Sequence, residues 1–381
     1  MVSQARSLTE LAAIELRLAG LPRRSVDSQT PLLAAVTRAR SDVEAPYVAL
    51  SPSGTAALFA RTERRRVGVR VAYRVVGAFR ARVATVVNDG IVGDDPEWCV
   101  QHALGLLGSD GVDAVHFHCL RVGSEEEAAL LAASAGMTVQ TEDPFVHLEI
   151  TVDAPYDELV ARRDSRSREA IRRARRKVDA LGARHSITRW PGDRADADAL
   201  LAQMDEVAAG GYQRGLGVGF ERDPLHEELV RAGLAGGWFR AWTLSIDDAP
   251  AAFWSAFAFG DRWTLYETAF AEAFAAAAPG AGLLSTVVQD AASSGSVRVV
   301  GFGLGDARYK RDWADREWMA RDVIGFAPRL KWRSMAAMQR GTTWSYHTVR
   351  RVLGEDRVRA VKRWLRARAR NNAQRDGNAS P

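Results

Sequence analysis

Three stretches of this chain have residue types and spacing suited to chemistry. Residues 297–313, VRVVGFGLGDARYKRDW, begin as a β-branched run at Val297, Val299 and Val300 that reads as a buried strand. The strand breaks at Gly301, Gly303 and Gly305, where the backbone can turn tightly or approach a ligand, and empties into Asp306, Arg308, Tyr309, Lys310, Arg311 and Asp312. A strand that ends in glycines and a dense polar cluster is where α/β proteins place their chemistry. The glycine spacing is not a dinucleotide fingerprint, because no apolar helix follows it. A second stretch, Pro279-Gly280-Ala281-Gly282, opens a helix at Leu283. Gly280 and Gly282 let backbone N–H groups reach a phosphate, and a helix start adds about half a positive charge there. The third is basic: residues 162–177 carry Arg172 and Arg176 among many other arginines, a wall suited to an anionic substrate or cofactor.

Weaker candidates drop out. His116-x-His118 with Cys119 shares a strand face, but no further ligand lies at useful spacing, so no metal is expected. No Gly-x-Ser-x-Gly elbow occurs. Trp238, Trp242, Trp254 and Trp263 fall on strands or their ends and read as core, with room for one or two to line a sugar or acyl pocket.

The elements that must position these groups follow from periodicity. Residues 1–40 read as an amphipathic helix, with Leu8, Leu11, Ile14, Leu18 and Leu21 on one face, and then a linker. Strands follow at 47–50, 67–76 and 81–87, with turn chemistry at Asn88-Asp89-Gly90. Helices at 96–107 and 125–135 alternate with strands at 112–119 and 145–151, which implies a mixed-sheet α/β domain over 41–152. One long helix is expected over 156–181, capped by Gly182 and spanning roughly 40 Å. The α/β pattern then restarts: a strand at 185–190, helices at 196–209 and 224–235, and strands at 239–245, 251–259 and 262–269. Hairpin turns fall at Asp247-Asp248 and Gly260-Asp261. Alternation along the third of these strands sends Tyr266 and Glu267 to opposite faces. The helix at 283–293, the glycine-ended strand and a last strand at 322–326 complete a second domain over 153–330. Residues 331–381 form a basic helical tail.

At 381 residues, 47% hydrophobic and 26% charged, the chain has the composition of a globular protein with room for two domains. A formal charge of +5 is weaker than that of a dedicated nucleic-acid binder, and no DNA partner is expected. Cys99 and Cys119 make no disulfide scaffold. No run of 18 apolar residues spans a membrane, and Glu10 and Glu15 interrupt any signal-peptide pattern, so a cytoplasmic place is expected. Attachment to the inner face of the membrane through the basic tail stays open.

The order of these elements, with SREAIRRARRKVDALG (167–182), DAPAAFWSAFAFGDRWTLYETAF (248–270), PGAGLL (279–284) and GFGLGDARYKRDWA (301–314), resembles the Fem-type branch of the GNAT superfamily. Within it the likeness is to the acyltransferases grouped with CelD/BcsL proteins. It covers residues 150–330 well and the first half by architecture. The resemblance implies two tandem GNAT-like domains with mixed sheets, the first degenerate and the second keeping the donor site. It implies acyl transfer from acyl-CoA, such as acetyl-CoA, to an amine or hydroxyl by direct attack. Lys310 then matches the lysine of the family's Y-K or F-K pair, able to stabilise a tetrahedral intermediate or an acceptor phosphate, with Asp306 and Tyr309 to orient it or relay a proton. Glu267 occupies a place where several GNAT enzymes keep a carboxylate base. Where the common donor signature has Arg or Gln, this chain has Ala276, Ala277 and Ala278.

The expected acceptor is a small molecule or an envelope precursor, a sugar foremost. Two other readings stay open on sequence grounds. One keeps the fold and takes aminoacyl-tRNA as donor, with Arg172 and Arg176 on the tRNA, although the coiled-coil arm common in such enzymes is missing from this chain. The other is a non-catalytic domain that binds or scaffolds.

Overall fold

The computed structural model describes residues 4–23, 25–71, 74–211, 219–332, 334, 335 and 338. The basic tail expected over 331–381 lies outside the described residues from 339 onward. The chain opens on β1 (Gln4–Ala5), α1 (Leu8–Leu18) and α2 (Thr30–Ala39). Where the sequence reads as linker, Pro31 in the first turn starts this second helix, and its Arg38 reaches across to Glu228 at 2.7 Å.

β2 (Val43–Leu50), β3 (Ala56–Val71) and β4 (Arg74–Gly93) form a meander. Then come α3 (Pro96–Leu104), β5 (Ala114–Arg121), α4 (Glu125–Ala133), β6 (Thr138–Thr141) and β7 (Phe145–Thr151). Asn88-Asp89-Gly90 does not reverse the chain: β4 runs through it. Leu58 pairs with Ile91 and Ala60 with Val86, so residues 87–90 bulge out opposite Phe59. The turn chemistry serves that bulge. Asp89 takes φ +48°, and a Cβ on Gly90 would lie 2.5 Å from the Phe59 carbonyl oxygen.

The second half contains α5 (Tyr156–Ala161), α6 (Ser165–Asp179), β8 (His185–Trp190), α7 (Ala197–Ala209) and α8 (Pro224–Ala235). β9 (Phe239–Ile246), β10 (Ala249–Phe259), β11 (Arg262–Phe270) and α9 (Pro279–Ser293) follow. β12 (Val299–Leu304), α10 (Arg308–Trp313) and β13 (Arg316–Phe326) complete it. The single helix expected over 156–181 is two. Asp164 accepts N–H bonds from Arg166 and Ser167 and so starts α6 afresh, while Arg163 turns inward to Asp315 at 2.8 Å. At about 22 Å, α6 is too short to bridge the halves. It lays Ile171, Ala174 and Val178 on α9 instead. Both expected two-residue hairpins are present, with φ +50° and +62° at Asp247 and Asp248 and +53° at Gly260.

One sheet runs through the molecule in the order β1-β2-β3-β4-β5-β13-β7-β12-β11-β10-β9-β8, with β6 on β13. Each half has four antiparallel strands, and the last of them is followed by a helix and a parallel strand: β4 beside β5 across α3, β11 beside β12 across α9. The halves also exchange strands. β13 lies antiparallel between β5 and β6, and β7 lies antiparallel between β12 and the start of β13. This is a mixed α/β fold of two GNAT-like halves. α6 and α9 cover one face of the second half with Leu283, Leu284, Val287 and Val288 buried. Each such side chain contributes about 1.5–3 kcal/mol. α2, α7 and α8 cover the other face around Trp190, Phe239 and Phe253. Among the described residues, no helix is long and apolar enough to cross a membrane.

Candidate active site

β11 and β12 pair only through Arg262–Val299, Trp263–Val300 and Thr264–Gly301. Beyond those residues the strands part. The gap opens into a cavity of about 420 Å³ lined from the second half by Trp254, Tyr266, Thr268, Phe302, Tyr309 and Lys310. The first half lines it with Asn88, Asp89, His118 and Arg121, and the exchanged strand β7 with His147 and Glu149.

Lys310 sits on α10, buried below the ends of the parted strands. Its ammonium donates to the carbonyls of Phe302, at 2.9 Å, and Leu304. Burial lowers its pKa, against the opposing charge of Asp306. Tyr309, one residue earlier, puts its ring edge-on to Trp254 with centroids 5.8 Å apart. Asp306 does not line the cavity; it is exposed and grips Arg311 with two bonds of 2.6 and 2.9 Å. Ser167 donates to Asp312 at 3.0 Å and ties α10 to α6.

Tyr266 and Glu267 meet the same group, and the expected alternation fails there. Trp254 pairs with Thr268 and Ala256 with Leu265, so two residues of β11 oppose the single Ser255 of β10. That bulge breaks the period of two and brings both side chains to His226 on α8. The Tyr266 hydroxyl lies 3.4 Å from His226 Nε2, and Glu267 Oε1 lies 4.0 Å from it. His226 Nδ1 is 2.9 Å from Asp223, which also caps α8. Burial raises the Glu267 carboxyl above the usual range, although His226 pulls the other way. Burial also raises the Tyr266 phenol, with the Glu267 charge adding to it.

On the far side of Trp254 lies the start of α9. Trp254 Nε1 donates to the Gly280 carbonyl at 2.8 Å. No side chain caps this helix, its first turn holds no acid, and Ala278 at the N-cap is left-handed with φ +50°. A Cβ on Gly280 would touch only Phe270, at 3.7 Å, so space remains in front of the helix. Gly282 is placed differently: a Cβ there would sit 2.3 Å from Val178, so it lets α9 approach α6. Leu283 is core. From α6, Lys177 donates to the Ala276 carbonyl at 2.9 Å. Arg172 is exposed on the same helix, and Arg176 is paired with Glu169 at 2.7 Å.

Several cavity residues escaped sequence reasoning. Glu149 Oε1 accepts from Arg262 at 2.7 Å and from Trp318 Nε1 at 3.0 Å. Burial pushes its carboxyl up, but Arg262 and the Trp318 bond outweigh this and hold it below the usual range. His147 stacks on Trp318 at 3.9 Å, and burial lowers its pKa to about 4. Two polar residues at i and i+2 on an otherwise apolar strand were the available signal. His226 lay in an unremarkable helix, and only the fold brings it to Glu267.

Residues 165–311 match the family model described as an acetyltransferase (GNAT) domain. No curated protein sequence matches the chain. Among solved structures, FemX superposes with a TM-score of 0.60 at 11% identity, over 88% of this chain and 100% of FemX. The C-terminal domain of a putative lysylphosphatidylglycerol synthetase from Agrobacterium fabrum gives 0.53 at 11% identity, over 87% of this chain and 96% of that one. L-PGS from Bacillus licheniformis gives 0.52 at 12% identity, over 86% and 96%. At such identities the likeness is one of fold, and the matched domain supplies the chemistry. Residues 165–311 match a GNAT acetyltransferase domain, which makes that part of the chain an acyltransferase, and the chain as a whole shares the fold of FemX.

Proposed function

We propose that the chain moves an acyl group from acyl-CoA to an amine or hydroxyl of a sugar or cell-envelope precursor, by direct attack of the acceptor in the cleft between the halves. The observation that carries this reading is the parting of β11 and β12 after Thr264 and Gly301, beside a helix start without cap or acid. The residues present suit an acyl-CoA donor: N–H groups at the first turn of α9 and the space before Gly280 favour a pyrophosphate. The cation absent from the alanine loop is supplied by Lys177 of α6, with Arg172 and Arg176 farther along the same helix.

Glu267, which with His226 lies beside the cavity lining and not in it, is assigned as the base that takes the proton of the acceptor as its nitrogen or oxygen bonds to the thioester carbon. Its raised pKa brings it nearer the operating pH than an exposed carboxylate. Asp223 orients His226, which in turn faces Glu267. Lys310 spends two of its three donors on the carbonyls of Phe302 and Leu304, leaving one for negative charge that develops in the cavity. Charge is returned to the departing thiolate as the carbon–sulfur bond breaks. Trp254, Trp318 and His147 offer flat faces, and Arg121 and Arg316 offer donors, to a polyhydroxyl acceptor. Work at an anionic membrane surface on the cytoplasmic side fits the exposed arginines of α6.

Calorimetric titration with acetyl-CoA, longer acyl-CoAs and free CoA tests the donor. Micromolar binding that weakens in Gly280→Glu is the expected result. Absence of binding to all of them by folded protein would sink the acyl-CoA reading, and aminoacyl-tRNA becomes the next titrant.

A further inference from the structure

The sequence offers His116-x-His118 no third ligand; the fold supplies one 204 residues farther along. On β13, Asp322 turns its carboxylate between the two rings. His116 Nε2 is 3.1 Å from Oδ2, and His118 Nδ1 is 3.1 Å from Oδ1 and 3.3 Å from Oδ2. The three ligand atoms lie within 4.8 Å of one another, and this is the one such group among the described residues. In a tetrahedral zinc site with bonds of about 2.0–2.2 Å, ligand atoms lie roughly 3.3 Å apart. The two histidine–carboxylate spacings of 3.1 and 3.3 Å already match that, and the widest spacing in the group, up to 4.8 Å, would have to close by about 1.5 Å.

The arrangement is built by a bulge. Phe117 pairs with Val323 and Leu120 with Arg321, so His118 and Cys119 together oppose Asp322. Cys119 takes φ +55°, and its N–H donates to Asp322 Oδ1 at 2.9 Å, which fixes the carboxylate from behind. His116 is 5% exposed, so its ring is held in place by the surrounding packing. His118 lines the interdomain cavity and the smaller one beside it, so the third side opens to solvent. Arg65 contributes positive charge nearby, which Glu63, 3.6 Å from it and shared with Arg61 and Arg40, offsets in part. Cys119 Sγ contacts Nε2 of His118, the nitrogen facing away from Asp322, and so lies outside the set.

We infer that His116, His118 and Asp322 bind one late-transition divalent cation of the Zn²⁺ class, with the remaining position open to water from the cavity. Two histidines and a carboxylate are a donor set suited to zinc. The ion would clamp β5 to β13, where the last described strand enters the sheet of the first half.

The test uses full-length protein freed of metal by a chelator and titrated calorimetrically with Zn²⁺. One ion per chain with micromolar or tighter affinity, and a melting temperature that rises with Zn²⁺, are expected. His118→Gln and Asp322→Asn should each weaken binding tenfold or more. Co²⁺ in the same site should give visible absorption of a tetrahedral centre, lost in both variants. Because Asp322 also ties two strands, His118→Gln, on a ring 36% exposed, is the variant that decides, with circular dichroism to verify its fold. Folded wild-type protein that takes up no stoichiometric ion, or a folded His118→Gln that binds Zn²⁺ as tightly as wild type, would overturn the assignment.

Discussion

Each half runs a strand into a helix and returns on a parallel strand, and both helices have proline at their first position. The first half reads Asp95-Pro96-Glu97 at α3; the second reads Ala278-Pro279-Gly280 at α9. The backbone plan is shared and the charge is opposite. At α3 the Asp95 carboxylate accepts the Trp98 N–H at 2.9 Å, and Glu97 adds a second negative charge, so the positive helix end is satisfied from within. At α9 no side chain among the described residues does this. The strand gaps differ in the same sense. Beside β5 only a small cavity remains, bordered by Phe117, His118 and Cys119, whereas beside β12 the larger cavity is bordered by Tyr266, Tyr309 and Lys310. The repeated fold thus leaves one helix end without an acidic partner and meets the other with two acidic side chains.

The sharpest way to break this contrast is at Glu267. Glu267→Gln keeps size and removes the proposed base, and kcat should fall by about 10²-fold or more. In the wild type the pH profile of kcat/KM should rise through a pKa above the usual carboxylate range, as burial dictates. A Glu267→Gln enzyme within a few-fold of wild type, with its pH profile unchanged, would move the base elsewhere.

How much of this was legible in the chain depends on where each signal lives. Local chemistry was readable: PGAG does open a helix and Asp247-Asp248 and Gly260-Asp261 do turn hairpins, but of the glycines after Val300 only Gly305 follows the strand's end, since β12 runs on through Gly301 and Gly303 to Leu304. The two-half architecture followed from element order, because each half repeats strand, helix and parallel strand. What could not be read was set by register and by distance along the chain. A one-residue bulge at Ser255 brings Tyr266 and Glu267 together, and no composition signals it. Arg163 looked like one more charge on a long helix, but its bond to Asp315, 152 residues away, is part of what breaks that helix in two. The polar cluster after β12 looked like one site. It divides, with Lys310 turned inward to the strand carbonyls and Asp306 outward to Arg311.

The exchanged strand β7 offers a second test. His147 feels the charges of Glu149, Lys310, His118 and Arg121, with its ring on Trp318. Burial holds its pKa at about 4 against 6.5 in the unfolded chain. The unfolded state therefore binds more protons between these values. The stability this neutral ring supports is fully present above pH 6.5 and is lost as pH falls toward 4. The loss amounts to roughly 3 kcal/mol at most. Urea midpoints measured across that range should drop, and His147→Gln should flatten the drop. An equally steep fall in the variant would place the acid sensitivity in the first half.

Exchanging the helix starts is the direct test of the comparison. Gly280→Glu writes the Pro-Glu of α3 into α9. Its carboxylate should be welcome at the helix end, stabilising by about 0.3–1 kcal/mol, so the fold should survive. Donor affinity should fall tenfold or more, because the same field that accepts the carboxylate no longer attracts a phosphate. The reciprocal change carries the smallest effect and says the most about the first half. Asp95→Ala removes the bond to the Trp98 N–H and should cost about 1 kcal/mol of stability, read as a lower urea midpoint. It leaves Glu97 in place, so α3 remains closed to anions and donor affinity should stay at the wild-type value. If Asp95→Ala instead creates a second CoA-binding event in calorimetry, the capping carboxylate alone was closing that site. The two halves would then differ by one side chain and not by the shape of their strand gaps.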